Sequence, residues 1–189
     1  MTPRVFSDSA GTPFPSTVLD ARAGVATPRG TFSLAPPGKE VAELPKECFA
    51  EVERLCNEGV AQMGKREFLG ASDSFADALD RIPEPVVQWN AGAWILVAMA
   101  ECAFRAGSFG SAVDPLMDAM LGPGTIGNPW VHLRLGQCLL EVGKAERAAD
   151  ELARAYRGGG REIFKDQDPA YLAYVEKVLR PPQGMDPLP

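Results

Sequence analysis

No stretch of the sequence is apolar for long enough to cross a bilayer. The longest apolar run, Ala91 to Ala100, is about half of the roughly 20 residues that a spanning helix requires. The N-terminus lacks a basic start followed by an apolar stretch, so no secretory leader is read there. Clusters of lysine and arginine are missing too. With 19 Lys and Arg against 25 Asp and Glu, the net charge is −6. Binding to phosphate backbones draws on clustered cations, so nucleic acid is not expected as a partner. Histidine occurs once, at His132, with no second His or Cys at metal-ligand spacing. The four cysteines, Cys48, Cys56, Cys102 and Cys138, form no C-x-x-C pair. All four lie in apolar helical contexts, so buried thiols in a reduced, cytoplasmic protein are expected rather than a disulfide framework.

What is present divides the chain into regions. Residues 1–45 carry seven prolines (Pro3, Pro13, Pro15, Pro28, Pro36, Pro37 and Pro45) and glycines at 11, 24, 30 and 38. No helical or strand period survives between them. Such a segment buries too little apolar surface to offset its ordering entropy, so a flexible, disordered N-terminal segment is expected. A sharper alternative is a partner-binding arm anchored by Phe6, Phe14, Val18-Leu19 and Phe32. Residues 181–189 form a second flexible tail. Between the tails, apolar residues recur three and four apart and strand-like alternation is absent. The period predicts helices over 46–64, 67–81, 89–106, 109–121, 129–142, 145–157 and 168–180. Asp168-Pro169 opens the last one, since Asp caps free N–H groups and Pro suits the first helical position.

A repeat runs through this helical region. Gly59, Ala100 and Gly136 each lie mid-helix, at offsets of 41 and then 36 residues. Twelve residues after each stands Ala71, Ala112 or Ala148. Four further on come Phe75, Leu116 and Leu152, and three beyond those Ala78, Ala119 and Ala155. The turns carry Gly64, Gly107 and Gly143, and Pro83, Gly124 and Gly160 follow as helix stoppers. This arrangement resembles the tetratricopeptide repeat, a helix–turn–helix unit of about 34 residues with small residues at its helix crossings. The resemblance covers about 49–160. It implies an all-α fold, an α–α superhelix with repeats near 52–85, 93–126 and 129–162, within a domain spanning 46–180. The final helix, 168–180, would cap the open face of the last repeat. Glu58 and Gln62 stand in repeat one where the family prefers bulk, and the linkers between repeats are longer than usual.

Motifs that could carry chemistry do not fit their required context. Gly122-Pro-Gly-Thr-Ile-Gly127 matches G-x-G-x-x-G by letter. A nucleotide fingerprint needs a strand before it and a helix opening on it, but here a helix precedes and Asn128-Pro129 follows. Gly158-Gly-Gly160 lacks the Lys-Ser/Thr of a phosphate loop. Asp166-Gln-Asp168 begins like a calcium loop, and Pro169 ends the match. Cys102 and Cys138 share one repeat position, which argues for packing. No catalytic residue, cofactor site or metal site is assigned, and no enzyme activity is expected.

The resemblance implies a binding face instead. In tetratricopeptide repeats the first helix of each unit lines a concave groove that holds protein or peptide ligands. Carried over by position, the groove would comprise Glu53, Cys56, Val60 and Met63 from repeat one. Repeat two contributes Trp94, Val97, Glu101 and Phe104, and repeat three contributes Trp130, Leu133, Gln137 and Leu140. Core packing against other helices is the competing role for each of these side chains. Since Lys and Arg do not cluster there, an apolar or basic partner is expected rather than an acidic tail. Two finer readings compete. One is a bacterial immunity protein that neutralises a toxin domain, since Gly127–Gly136, Ala149–Tyr156, Glu162–Phe164 and Asp168–Tyr171 resemble bacterial repeat proteins associated with polymorphic toxins, and a basic toxin would complement the acidic charge. The other is a type III secretion chaperone for translocator proteins, a family with three such repeats. The Pro-rich N-terminus fits that family poorly.

Overall fold

The computed structural model describes residues 44–122 and 124–179, together with the short backbone segments 25–27 and 30–32. Among the described residues seven α-helices follow in order: α1 (Lys46–Gly64), α2 (Phe68–Leu79), α3 (Asn90–Arg105), α4 (Phe109–Ala119), α5 (Pro129–Glu141), α6 (Ala145–Gly159) and α7 (Pro169–Leu179). Each lies within about two residues of the span read from the apolar period. Short 3-10 turns at Val86–Gln88 and Glu162–Phe164 sit in the linkers. Side chains begin and end the helices as their chemistry requires. Asn128 accepts from the Trp130 N–H at 3.0 Å, with Pro129 at the first helical position of α5. Asp168 accepts from the Ala170 N–H at 2.7 Å at the start of α7.

α1 pairs with α2, α3 with α4, and α5 with α6, each as an antiparallel hairpin. α2 packs on α3 and α4 on α5, so the three hairpins stack into a row, and α7 closes the row against α6. The fold is an all-α stack of tetratricopeptide-type hairpins. Its main core runs through all three hairpins, from Val52 and Phe75 to Leu139 and Ala148. A second cluster gathers Leu133, Leu152, Ala153, Ala155, Phe164, Tyr171 and Val175 under the cap.

The small residues sit where the two helices of a hairpin touch. A Cβ on Gly136 would lie 2.7 Å from Leu152 Cγ and 3.0 Å from the Leu152 backbone nitrogen. A Cβ on Gly59 would lie 2.8 Å from Phe75 Cε1. In the middle repeat the same position is Ala100, and its counterpart is Leu116; both are fully buried. Bulk on the second helix thus fills the hollow that absent bulk leaves on the first.

Two expectations change. Residues 1–43 of the expected N-terminal segment lie outside the described residues, except that Val25–Thr27 pairs antiparallel with Gly30–Phe32 as strands β1 and β2, Val25 opposite Phe32 and Thr27 opposite Gly30. No strand is expected there from the sequence. Val25, Thr27, Thr31 and Phe32 are β-branched or aromatic and favour an extended backbone, a local preference that the density of prolines hides. The expected tail at 181–189 lies outside the described residues. The first turn also differs. Gly64 is not the turning residue, because the left-handed position falls on Arg66, with φ 64°. Arg66 precedes Gly107 (φ 75°) by 41 residues, and Gly107 precedes Gly143 (φ 78°) by 36, the offsets of the repeat itself.

Two stability measurements check this account. Gly136→Ala gains about 1 kcal/mol of helix propensity, yet the overpacking of about 1–3 kcal/mol is expected to win in urea unfolding. In a Leu152→Ala background the same change should become neutral or stabilising; an unchanged cost there would refute the crossing as the cause. Arg66→Gly should raise stability by about 0.5–1 kcal/mol, as relief of left-handed strain exceeds the entropy that glycine gains unfolded. A loss on that substitution would mean the turn carries no strain.

Candidate functional site

The first helices α1, α3 and α5 supply all the residues expected in the groove, and the structure divides them into two sets. Cys56, Met63, Trp94, Val97, Glu101, Leu133 and Gln137 are buried. Glu53, Val60, Phe104, Trp130 and Leu140 are half-buried. Trp94 meets Phe75 of the preceding hairpin edge to face, with ring centroids 5.7 Å apart. Its bulk therefore joins repeat one to repeat two. Leu133 belongs to the cluster under the cap, with Phe164 and Tyr171.

A buried polar network joins α3 to α5 at the same level. Arg134 Nε lies 2.8 Å from Glu101 Oε2, and both side chains are nearly sealed from solvent. Those two atoms make no hydrogen bond; the two side chains are hydrogen-bonded instead through Arg134 Nη2–H, which donates to Glu101 Oε1 at 3.3 Å. Arg134 Nη1 donates to Gln137 Oε1 at 2.9 Å, and Gln137 Nε2 donates to Gln167 Oε1 at 2.9 Å. Arg105, one turn after Glu101, donates Nε–H to Glu101 Oε1 at 2.8 Å. The Arg134 guanidinium lies over the Phe104 ring at 3.7 Å and near the Trp130 ring at 5.0 Å. Cation–π attraction adds to the ion pair in setting the aromatic pair at the repeat boundary. Tyr171 of the cap donates its hydroxyl to Glu141 at 2.8 Å.

Sequence reasoning missed Arg134 and Arg105. Glu101 and Gln137 are equivalent repeat positions, and a carboxylate at a buried position should have prompted a search for a cation one helix away. The expectation of an apolar or basic partner rested on an absence of groove cations. Two guanidiniums beside one carboxylate remove that premise.

Other sequence candidates have structural roles. Gly122–Gly127 has α4 before it and α5 after it, with no strand. The fully buried Thr125 hydroxyl lies within donating distance of the Ala119 and Gly122 carbonyls, at 2.5 and 2.9 Å. His132 Nδ1 lies 2.5 Å from Glu151 Oε2 and ties α5 to α6. Burial pushes the thiols of Cys56, Cys102 and Cys138 up to about 12, so near neutrality they are protonated and poor nucleophiles. Among the described residues no three His, Cys, Asp or Glu side chains converge as metal ligands, and no helix is long and apolar enough to cross a membrane.

One solved structure of similar shape is the Yersinia enterocolitica type III secretion chaperone SycD in complex with a peptide of the translocator YopD. The match has a TM-score of 0.56 at 15% identity and covers 71% of this chain and 96% of that one. The shared property is the fold. No family model matches the sequence, and no curated protein does.

The network predicts a strong asymmetry in stability. Glu101→Gln leaves Arg134 buried without its counter-charge and should cost about 3–5 kcal/mol in urea unfolding. Replacing both partners, Glu101→Met with Arg134→Met, should recover most of that. A double variant as unstable as the single one would show that packing, not charge, is what the pair supplies.

Proposed function

We infer that the chain is a non-enzymatic adaptor that holds a segment of a partner protein along its concave face. The observation that carries this is the row of half-buried apolar side chains, Val60, Phe104, Trp130 and Leu140, on the first helices of three successive hairpins. A side chain that the helix stack leaves partly open can still gain from burial by a ligand, whereas Trp94, Val97 and Leu133 are already covered. The groove as first drawn therefore narrows to this row, with Glu53 at its repeat-one end. The structural neighbour is itself a chaperone in complex with a peptide, and this supports a protein ligand for the shared fold.

Two finer readings separate by partner identity. A toxin-neutralising role draws on the net charge of −6, which would favour a basic toxin domain. A secretion-chaperone role draws on the similarity to SycD. Neither has support beyond that.

The test is a pulldown from the source organism with the wild-type chain, Val60→Asp and Leu140→Asp, each checked for unchanged helical circular dichroism. Loss of one protein from both variants, by about tenfold or more in affinity, is the expected result, since each change sets a charge against an apolar contact. A partner retained by both variants would move the binding face elsewhere. Its identity, toxin domain or secreted protein, decides between the finer readings.

A further inference from the structure

The groove reading leaves open which chemistry the partner presents, and Arg105 bears on it. Its Nε–H is spent on Glu101, at 2.8 Å, and the carboxylate that receives it is almost wholly buried. The rest of the guanidinium has no side-chain partner among the described residues, and the side chain is one-quarter exposed. Glu101 also faces Arg134, so two cations share one carboxylate at this boundary. Elsewhere on α5 and α6, Glu141 accepts from Tyr171, and Glu151 pairs with His132. Phe104 adjoins Arg105 in the chain, and Trp130 flanks Arg134 across the boundary.

An arginine anchored through Nε by a buried carboxylate keeps its two terminal amino groups in one fixed plane. That planar fork matches the two oxygens of a second carboxylate, and its ordering entropy has been met in the free protein. We propose that Arg105 is the specificity-determining residue of the groove, and that it takes an Asp or Glu side chain standing beside an aliphatic or aromatic anchor in the partner segment. The proposal rests on the groove reading.

Panning the full-length chain against a phage library of random dodecapeptides tests both and separates them. The displayed peptides have no free C-terminus, so any carboxylate read is a side chain. The expected result is enrichment of peptides with Asp or Glu next to an apolar residue. Arg105→Gln should weaken the leading peptide about tenfold, in line with loss of a charge-assisted hydrogen bond, and Arg105→Lys should restore only part of it. Leu140→Asp should abolish it. Binders without an acidic residue, or acidic binders indifferent to Arg105→Gln, would overturn the carboxylate assignment while Leu140→Asp still removed them, leaving the groove intact. Binders indifferent to Leu140→Asp, or no binders, would overturn the groove reading and this proposal with it. Circular dichroism of each variant guards against misfolding.

Discussion

The close approach of the two helices in each hairpin is the constraint on which the rest of the structure depends. Gly59 meets Phe75 and Gly136 meets Leu152 at distances that leave no room for a Cβ. The second helix of a hairpin can then lie deep against the first and turn the other side of the first helix outward. Were the crossings wider, α2 and α4 would not reach α3 and α5, and the hairpins would not stack. Helix packing of this kind tolerates little change in volume, because buried atoms have no solvent to yield to.

Stacking creates a second tier of contacts, between hairpins. Trp94 against Phe75 makes the first boundary. The second is made differently, by Glu101, Arg134 and Gln137, and it extends to the cap through Gln167. A fully apolar boundary would hold the repeats together as well or better, since buried ion pairs seldom add net stability. What the charged boundary does is fix its neighbours: Arg134 lies over Phe104, and Glu101 holds Arg105. The buried residues that hold the stack together and the half-buried ones proposed to face a ligand are neighbours on the same helix turns. That explains why a positional transfer from the repeat family mixes the two.

The sequence by itself determined the helices, their pairing and the crossings. Each is a local or periodic property: apolar spacing of three and four, small residues at fixed offsets, Asp168 as a cap. Even the turn at Arg66 was present as an offset of 41 from Gly107, hidden because arginine is not a residue that normally takes that backbone. Only the tertiary structure decided which side of each first helix is covered. Trp94 and Trp130 occupy equivalent positions in the repeat, yet one is sealed against Phe75 and the other is half-open beside Arg134. Burial depends on what the neighbouring hairpin brings to the boundary; Phe75, which seals Trp94, stands 19 residues earlier on another hairpin, beyond the reach of any helical period. The same holds for charge: Glu101 and Arg134 are 33 residues apart and become partners only when α3 and α5 meet.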